Sequence, residues 1–528
     1  MHGSELLFLV LMVATAALSV LAGAIGVPYP ILLVIGGLAL GFVPGLPDIE
    51  LPPEIVLVLF LPPLLYHAAF FSSHRDLRAN ARAITMLAVG LVLATLVVVA
   101  TIGHVAGGLT WAAAFALGAI VSPTDPLAAT TIARRTGLPR RLITVLEGES
   151  LVNDATALVA YRIAVSVVAG GTFVYWQAGL RFVASAGGGV VVGLVVGWAI
   201  TWIRKRLDDP PVEIVVTLVT GYVAYLPAEQ LGVSGVLAAV TAGLYVGWHG
   251  PEVASAETRL LGFSFWEVFV YLLNAALFIL IGLQLPPILS DVTDDYGVAT
   301  LIGLAALVTG AVIAVRIVWM FTVPYLIRVL DRRTSQVARR VGPGERFVIG
   351  WSGMRGAVSL AAALALPIEG AGGEGFPDRD LIIFLAFIVI LVTLVVQGLS
   401  LPLVIRRFVK NDQDDEDLRE ELQARVGAAK AALARLDELA EEDWTMSDTI
   451  ERMRGLYKYR AKRFAAQGGL VEDDGYEDRT QAYQRLTHEL LAAQREALVR
   501  LRNEGAISSE VMRRVERDLD LEESRLEI

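Results

Sequence analysis

Residues 147–162 read EGESLVNDATALVAYR, a charged stretch set between apolar runs long enough to lie in a membrane. It places Glu147, Glu149, Asn153, Asp154 and Arg162 within about four helical turns. A charge at the bilayer centre costs roughly 2.5–3.5 kcal/mol on insertion scales, so a chain carries one there for pairing or for transport. Glu147, Ser150 and Asp154 fall at i, i+3 and i+7 and share one helix face. That face holds two carboxylates and a hydroxyl, with no cation nearby in sequence. A carboxylate without a fixed partner takes up a proton or a mobile cation, and doing both in alternation couples one movement to the other. Arg162 points the same way two turns beyond Asp154; internal pairing and a part in transport are both open to it.

The surrounding chain has 528 residues, 55% of them hydrophobic and 19% charged, against about a quarter charged in soluble domains. Charge is also segregated. Residues 411–528 hold 29 acidic and 19 basic side chains, whereas residues 1–410 hold 25 of each. This predicts a polytopic membrane domain over 1–410 and a polar helical tail over 411–528. The chain has no cysteine, which excludes disulfides, cysteine-ligated metals and thiol chemistry. The opening MHGSELLFLVLMVATAALSVLA lacks the basic start of a signal peptide and reads as a first span that is kept.

A span needs roughly 20 apolar residues. Thirteen segments qualify, centred near Met12, Leu33, Leu61, Leu93, Ala119, Leu151, Val192, Val219, Leu237, Leu273, Ile313, Val358 and Val389. The second and ninth are short; the fifth, sixth and twelfth carry polar interruptions. With the N-terminus outside, the inner loops and exit carry 20 Lys and Arg and the outer loops carry two. HRDLRANAR, ARRTGLPRR and RVLDRRTSQVARR are inner; PGLPDIELPPE and EGAGGEGFPDRD are outer. The bias implies an odd number of spans and a cytoplasmic tail.

Two spans are predicted to be broken. The fifth contains VSPTDPLAA, where Pro123 and Pro126 each remove a backbone donor. The twelfth contains WSGMRGAVSLA, where Gly353 and Gly356 flank Arg355. An offset of seven spans makes the two run in opposite directions, the pattern of an inverted repeat whose substrate site lies between discontinuous helices. Asp125 before Pro126 reads as a helix N-cap, leaving the Thr124 carbonyl free to face a cation. Glu149 and Arg355 are expected to form a structural ion pair across two spans.

GESLVNDATALV, SPTDPLAA and GMRGAVSLAAALALP, on the sixth, fifth and twelfth spans, together resemble the sodium/proton antiporter family on its electroneutral branch, which has Asn-Asp where the electrogenic branch has Asp-Asp. The resemblance covers roughly residues 5–410 and implies a dimer whose core domain moves against a dimerisation domain. It implies that cation and proton compete for Asp154, with Ser150 and the Thr124 carbonyl as further sodium ligands. Asn153 would hydrogen-bond the unwound fifth span, and Asp125 would organise the crossing. One titrating carboxylate fits one cation for one proton. The resemblance implies no cofactor; sodium, protons, the lipid bilayer and a second copy of the chain are the partners. One departure stands in FLPPLLYHAAF, where relatives often have an acid at the position of His67. An imidazole is a poor ligand for a hard cation, but it can sense pH.

Potassium in place of sodium stays open as cargo. A channel is less suited, because no repeated filter-like segment occurs. GVSG at 232–235 resembles an intramembrane protease motif, but His249 lies 15 residues past Ser234, about 22 Å along a helix. Ser234 is read instead as a small residue at a helix contact. In the tail, Leu418, Leu422, Val426, Ala429, Leu433 and Leu436 form one apolar stripe and Tyr483, Leu486, Leu490, Leu498 and Leu501 a second, with a helix start at Ser508-Ser509. No nucleotide loop or nucleic-acid patch is present. The tail is expected to be a regulatory or dimer-supporting module.

Overall fold

The computed structural model describes residues 2–43, 58–168, 175–293, 296–330, 341–368, 375–409, 414–468 and 475–524. The outer loop 44–54 and most of the inner loop 328–340, both used in the charge count, lie outside them. The chain divides into two compact units, Met1–Lys410 and Asn411–Ile528.

The first unit is helical. It begins with α1 (His2–Ile25), α2 (Tyr29–Gly41), α3 (Leu61–Phe70) and the long α4 (His74–Val105). The first broken helix follows as α5 (Trp111–Val121) and α6 (Pro126–Arg135), then α7 (Arg140–Val168), which contains the opening stretch. Next come α8 (Tyr175–Arg204), α9 (Pro210–Gln230), α10 (Gly235–Val253), α11 (Ala256–Leu283), the short α12 (Leu285–Thr293) and α13 (Val298–Leu330). The second broken helix is α14 (Pro343–Trp351) and α15 (Ala357–Leu364), and α16 (Arg379–Phe408) closes the unit. Each of the thirteen predicted centres falls on one of these helices. Among the described residues, eight helices are long and apolar enough to cross a membrane. These eight count the first broken helix, Trp111–Arg134, as one span across its break; the second, in pieces of nine and eight residues, is not among them.

Apolar side chains point outward as well as inward, as a membrane-spanning helix requires. Trp198, Trp202, Val191 and Val195 of α8 are exposed on a span, Gly179–Arg204, apolar enough to cross a membrane. Inside, one large apolar cluster surrounds the breaks, with Leu117, Ile120, Leu146, Met354 and Phe387 among its members. A smaller cluster joins α3, α9 and α10 through Leu65, Ala69, Tyr225 and Val240, and reaches Leu151 and Ala155 of α7. Close approach sets α3 against α10: a Cβ at Gly243 would crowd the Tyr66 carbonyl. The site lies where the two clusters meet on α7.

The second unit comprises α17 (Asp414–Leu439), α18 (Ser447–Gln467), α19 (Tyr476–Asn503) and α20 (Ser509–Ser524). Leu422, Val426 and Ala429 of the first stripe are buried. The second stripe is corrected. Tyr483, Leu486, Leu490 and Leu501 are exposed, and the buried line of α19 runs through Thr480, Thr487 and Leu491, with Leu498 packed against it. Two threonines carry the register, so an apolar pattern alone selects the wrong face. The Ser508 hydroxyl accepts from Val511 N at 3.2 Å, capping α20 at its predicted start.

Candidate functional site

Four residues separate α5 from α6 and five separate α14 from α15. The breaks meet: Asp125 N donates to the Met354 carbonyl at 2.8 Å. The Asp125 carboxylate caps α6, accepting from Leu127 N at 2.9 Å, and also accepts from Ala357 N at the start of α15. One anion therefore serves two helix N-termini, whose free N–H groups and dipoles favour negative charge. A Cβ at Gly356 would overlap that carboxylate, so the crossing demands glycine there.

Cations serve the opposite ends. Arg355 Nε donates to the Val121 carbonyl at 3.0 Å, where α5 stops, and its Nη1 donates to the Gly353 carbonyl. Arg316 of α13 does the same for α14, its Nε donating to the Ile349 carbonyl at 3.2 Å. These carbonyls lose their helical partners at the breaks and have no water to replace them in a bilayer.

The expected Glu149–Arg355 pair does not form. Arg316 holds Glu149 with both terminal nitrogens, Nη1 to Oε1 and Nη2 to Oε2, the latter at 2.8 Å. Thr124 Oγ1 adds a third hydrogen bond to Glu149 at 3.0 Å. Both partners are buried, at 1% and 2% side-chain exposure. Arg355 is committed to the carbonyls freed by the breaks, a demand that spacing along the chain does not reveal. The lone arginine in the apolar run VIAVRIVW is the sequence signal for Arg316.

The other charged residues of the opening stretch also find partners. Arg134 of α6 pairs with Glu147 at 2.7 Å, so the sequence reading that this carboxylate lacks a cation is corrected. Arg162 pairs with Glu229 of α9. Asp154 differs: it is buried, and no cation among the described residues pairs with it.

Asp154, Ser150, Thr124, Asp125, His67 and Glu147 line one cavity of about 100 Å³. Asn153 turns away from it. Its Nδ2 donates to the Thr124 carbonyl and to Thr124 Oγ1, both at 3.0 Å. The Thr124 carbonyl expected to be free is thus engaged through one lone pair and keeps the second. His67 enters from α3, its ring centroid 4.7 Å from Phe71 and 5.5 Å from Trp266. Ser234, predicted to serve a helix contact, caps α10 by accepting from Leu237 N at 3.2 Å. His249 Nδ1 lies 3.0 Å from the Tyr245 carbonyl on the same helix. The two do not converge.

This arrangement can offer a partly desolvated ion a carboxylate, a hydroxyl and a carbonyl, and the carboxylate can equally hold a proton. Residues 8–407 match the family described as "Sodium/hydrogen exchanger, transmembrane". An uncharacterized Na+/H+ exchanger of Mycobacterium tuberculosis is 39% identical over 524 residues, 98% of this chain and 96% of the relative. The low-affinity Na+/H+ antiporter NhaS1 of Synechocystis is 35% identical over 419 residues, covering 79% of this chain and 76% of the relative. In fold, the chain resembles the sodium proton antiporter MjNhaP1 of Methanocaldococcus jannaschii, with a TM-score of 0.60, 21% identity and coverage of 77% and 98%.

Proposed function

We propose, for a chain that belongs to the sodium/hydrogen exchanger family, that it exchanges sodium for protons one for one, with both competing for Asp154. The observation that carries this reading is Asp154 itself: a buried carboxylate without a cation partner, beside Ser150 and Thr124 in a cavity where two broken helices meet. Among the described residues, the other carboxylates at the crossing, buried Glu149 and half-buried Asp125, are neutralised or capped. Glu149 has Arg316, and Asp125 has two helix N-termini. One titrating group exchanges one charge for one, so no net charge crosses the membrane.

Ser150 and the second lone pair of the Thr124 carbonyl supply further oxygen ligands. Asn153 holds the Thr124 segment in place. His67 faces the cavity from α3 and tunes the pH response. The helices around the breaks move against those carrying α3 and α11, opening the cavity to each side in turn. The positive loops put the N-terminus outside and residues 411–528 in the cytoplasm of a cell that carries this protein in its plasma membrane. There it acts as a homodimer and serves pH and sodium homeostasis, with the tail supporting the dimer or regulating it.

Inverted membrane vesicles with an acid interior test the reading. Sodium, lithium or potassium salts are added in turn and a pH-sensitive dye follows the gradient. Sodium is expected to collapse it with wild-type protein and not with Asp154→Asn. No collapse by any cation between about pH 5.5 and 9, with folded and inserted protein, refutes exchange.

A further inference from the structure

The cavity at Asp154 has two unlike walls. One is formed by the broken helices and α7 and is rich in polar groups. The other is formed by α3, α11 and the residue before α3. There the lining side chains are Phe, Leu, Ala and Val, with two exceptions, His67 and Asn274. Asn274 sits about two-thirds of the way along α11 and is 2% exposed. Its Oδ1 is buried without a hydrogen-bond partner among the described residues. Such an orphaned acceptor costs about 1–3 kcal/mol where it stands, so it calls for an explanation.

A hard monovalent cation leaving water has to recover oxygen ligands around its whole surface. The α7 wall offers the Asp154 carboxylate, the Ser150 hydroxyl and one lone pair of the Thr124 carbonyl, all from one side. The facing wall can answer only through His67, whose nitrogen suits softer metals, or through the Asn274 carboxamide oxygen. We infer that Asn274 is a direct ligand of the transported cation, closing its coordination from the wall opposite Asp154 and setting cation preference. This rests on Asp154 being the exchange site.

The assignment carries a signature that a packing role lacks. A neutral amide oxygen binds the cation but takes no proton at working pH. Removing it weakens the cation against the proton at Asp154, so at fixed sodium the activity profile moves to higher pH. Asn274 also lies on a helix distinct from those that hold Asp154, so it meets the ion only when the two walls approach. A ligand placed this way discriminates by cavity width, and its loss alters the ranking of lithium, sodium and potassium.

The experiment uses full-length protein in inverted vesicles, with wild type and Asp154→Asn alongside Asn274→Ala and Asn274→Asp. Asn274→Ala is expected to raise the apparent KM for sodium at least about fivefold while the maximal rate stays within about twofold. Asn274→Asp is expected to lower that KM, and sodium should stabilise Asn274→Ala against heat less than wild type. An unchanged KM, cation ranking and sodium-dependent stabilisation in Asn274→Ala overturn the inference. A fall in maximal rate and stability alike for every cation, at constant KM, also overturns it and marks Asn274 as packing. Absence of Asp154-dependent exchange in wild type overturns the exchange reading and this one together; an Asn274 failure against an active wild type leaves exchange standing.

Discussion

Arg316→Met removes the guanidinium that holds Glu149. The carboxylate then keeps one donor, Thr124 Oγ1 at 3.0 Å, in a site where its side chain is 2% exposed. Breaking a buried ion pair from one side costs about 3–5 kcal/mol, because the remaining charge is stranded. Glu149→Gln strands the arginine instead and should cost a similar amount. The double variant strands neither charge of the pair, and replacing a whole buried pair by neutral groups is close to neutral. What it still loses is the bond from Arg316 Nε to the Ile349 carbonyl, roughly 1 kcal/mol. The double variant should therefore be more stable than the sum of the singles by at least about 3 kcal/mol. For a unit of this length, extrapolated from smaller domains, 1 kcal/mol moves the melting temperature by about 1–2 °C. Each single variant is then expected to melt roughly 3–10 °C below wild type, and the double variant above either single. Heating detergent-solubilised protein and measuring the surviving monodisperse fraction reads these shifts. The same cycle with Arg355→Met should show weaker coupling to Glu149, because Arg355 donates to Val121 and Gly353 instead. Additive losses for the Arg316 cycle, or stronger coupling to Arg355, would refute the Arg316–Glu149 pairing.

Three further outcomes follow from the crossing and the tail. Gly356→Ala drives a methyl group into the Asp125 carboxylate and should abolish exchange while leaving membrane insertion intact, read by vesicle transport beside surface labelling. Asp125→Asn keeps a side-chain cap and should lose about 0.3–1 kcal/mol of helix-end electrostatics, whereas Asp125→Leu loses cap and charge and should melt several degrees lower in the same thermal assay. In the tail, hydrogen bonding by Arg495 holds the Glu523 carboxyl below its usual range. A depressed folded pKa means that the α19–α20 contact is fully stabilised above the ordinary glutamate range and weakens as pH falls through the lower folded value. Spin labels on the two helices should report a constant separation above about pH 5 and widening on acidification below about pH 4, absent in Arg495→Ala.

Much of the chain is legible without coordinates, because a bilayer imposes one-dimensional rules. Span length, the charge of loops and the boundary near residue 410 are local properties of composition. The breaks are legible too: proline and glycine act on their own backbone, and Asp125 caps the residue two places on. Partners are not legible. Sequence matches Glu149 to Arg355, a residue in a conspicuous motif, and the structure gives it Arg316, 167 positions away on an otherwise ordinary apolar helix. Glu147 reads as lacking a cation and holds Arg134. Asn274 gives no signal, since one asparagine in an apolar run has no pattern; only the folded chain brings it to the cavity that Asp154 lines. The same holds for the tail, where threonines set the seam. Sequence determines which segments enter the membrane and where they break, because those are costs each segment meets alone. Tertiary structure decides which buried charges cancel and which is left unpaired, because cancellation depends on distance between helices, and distance between helices is fixed only when all of them pack.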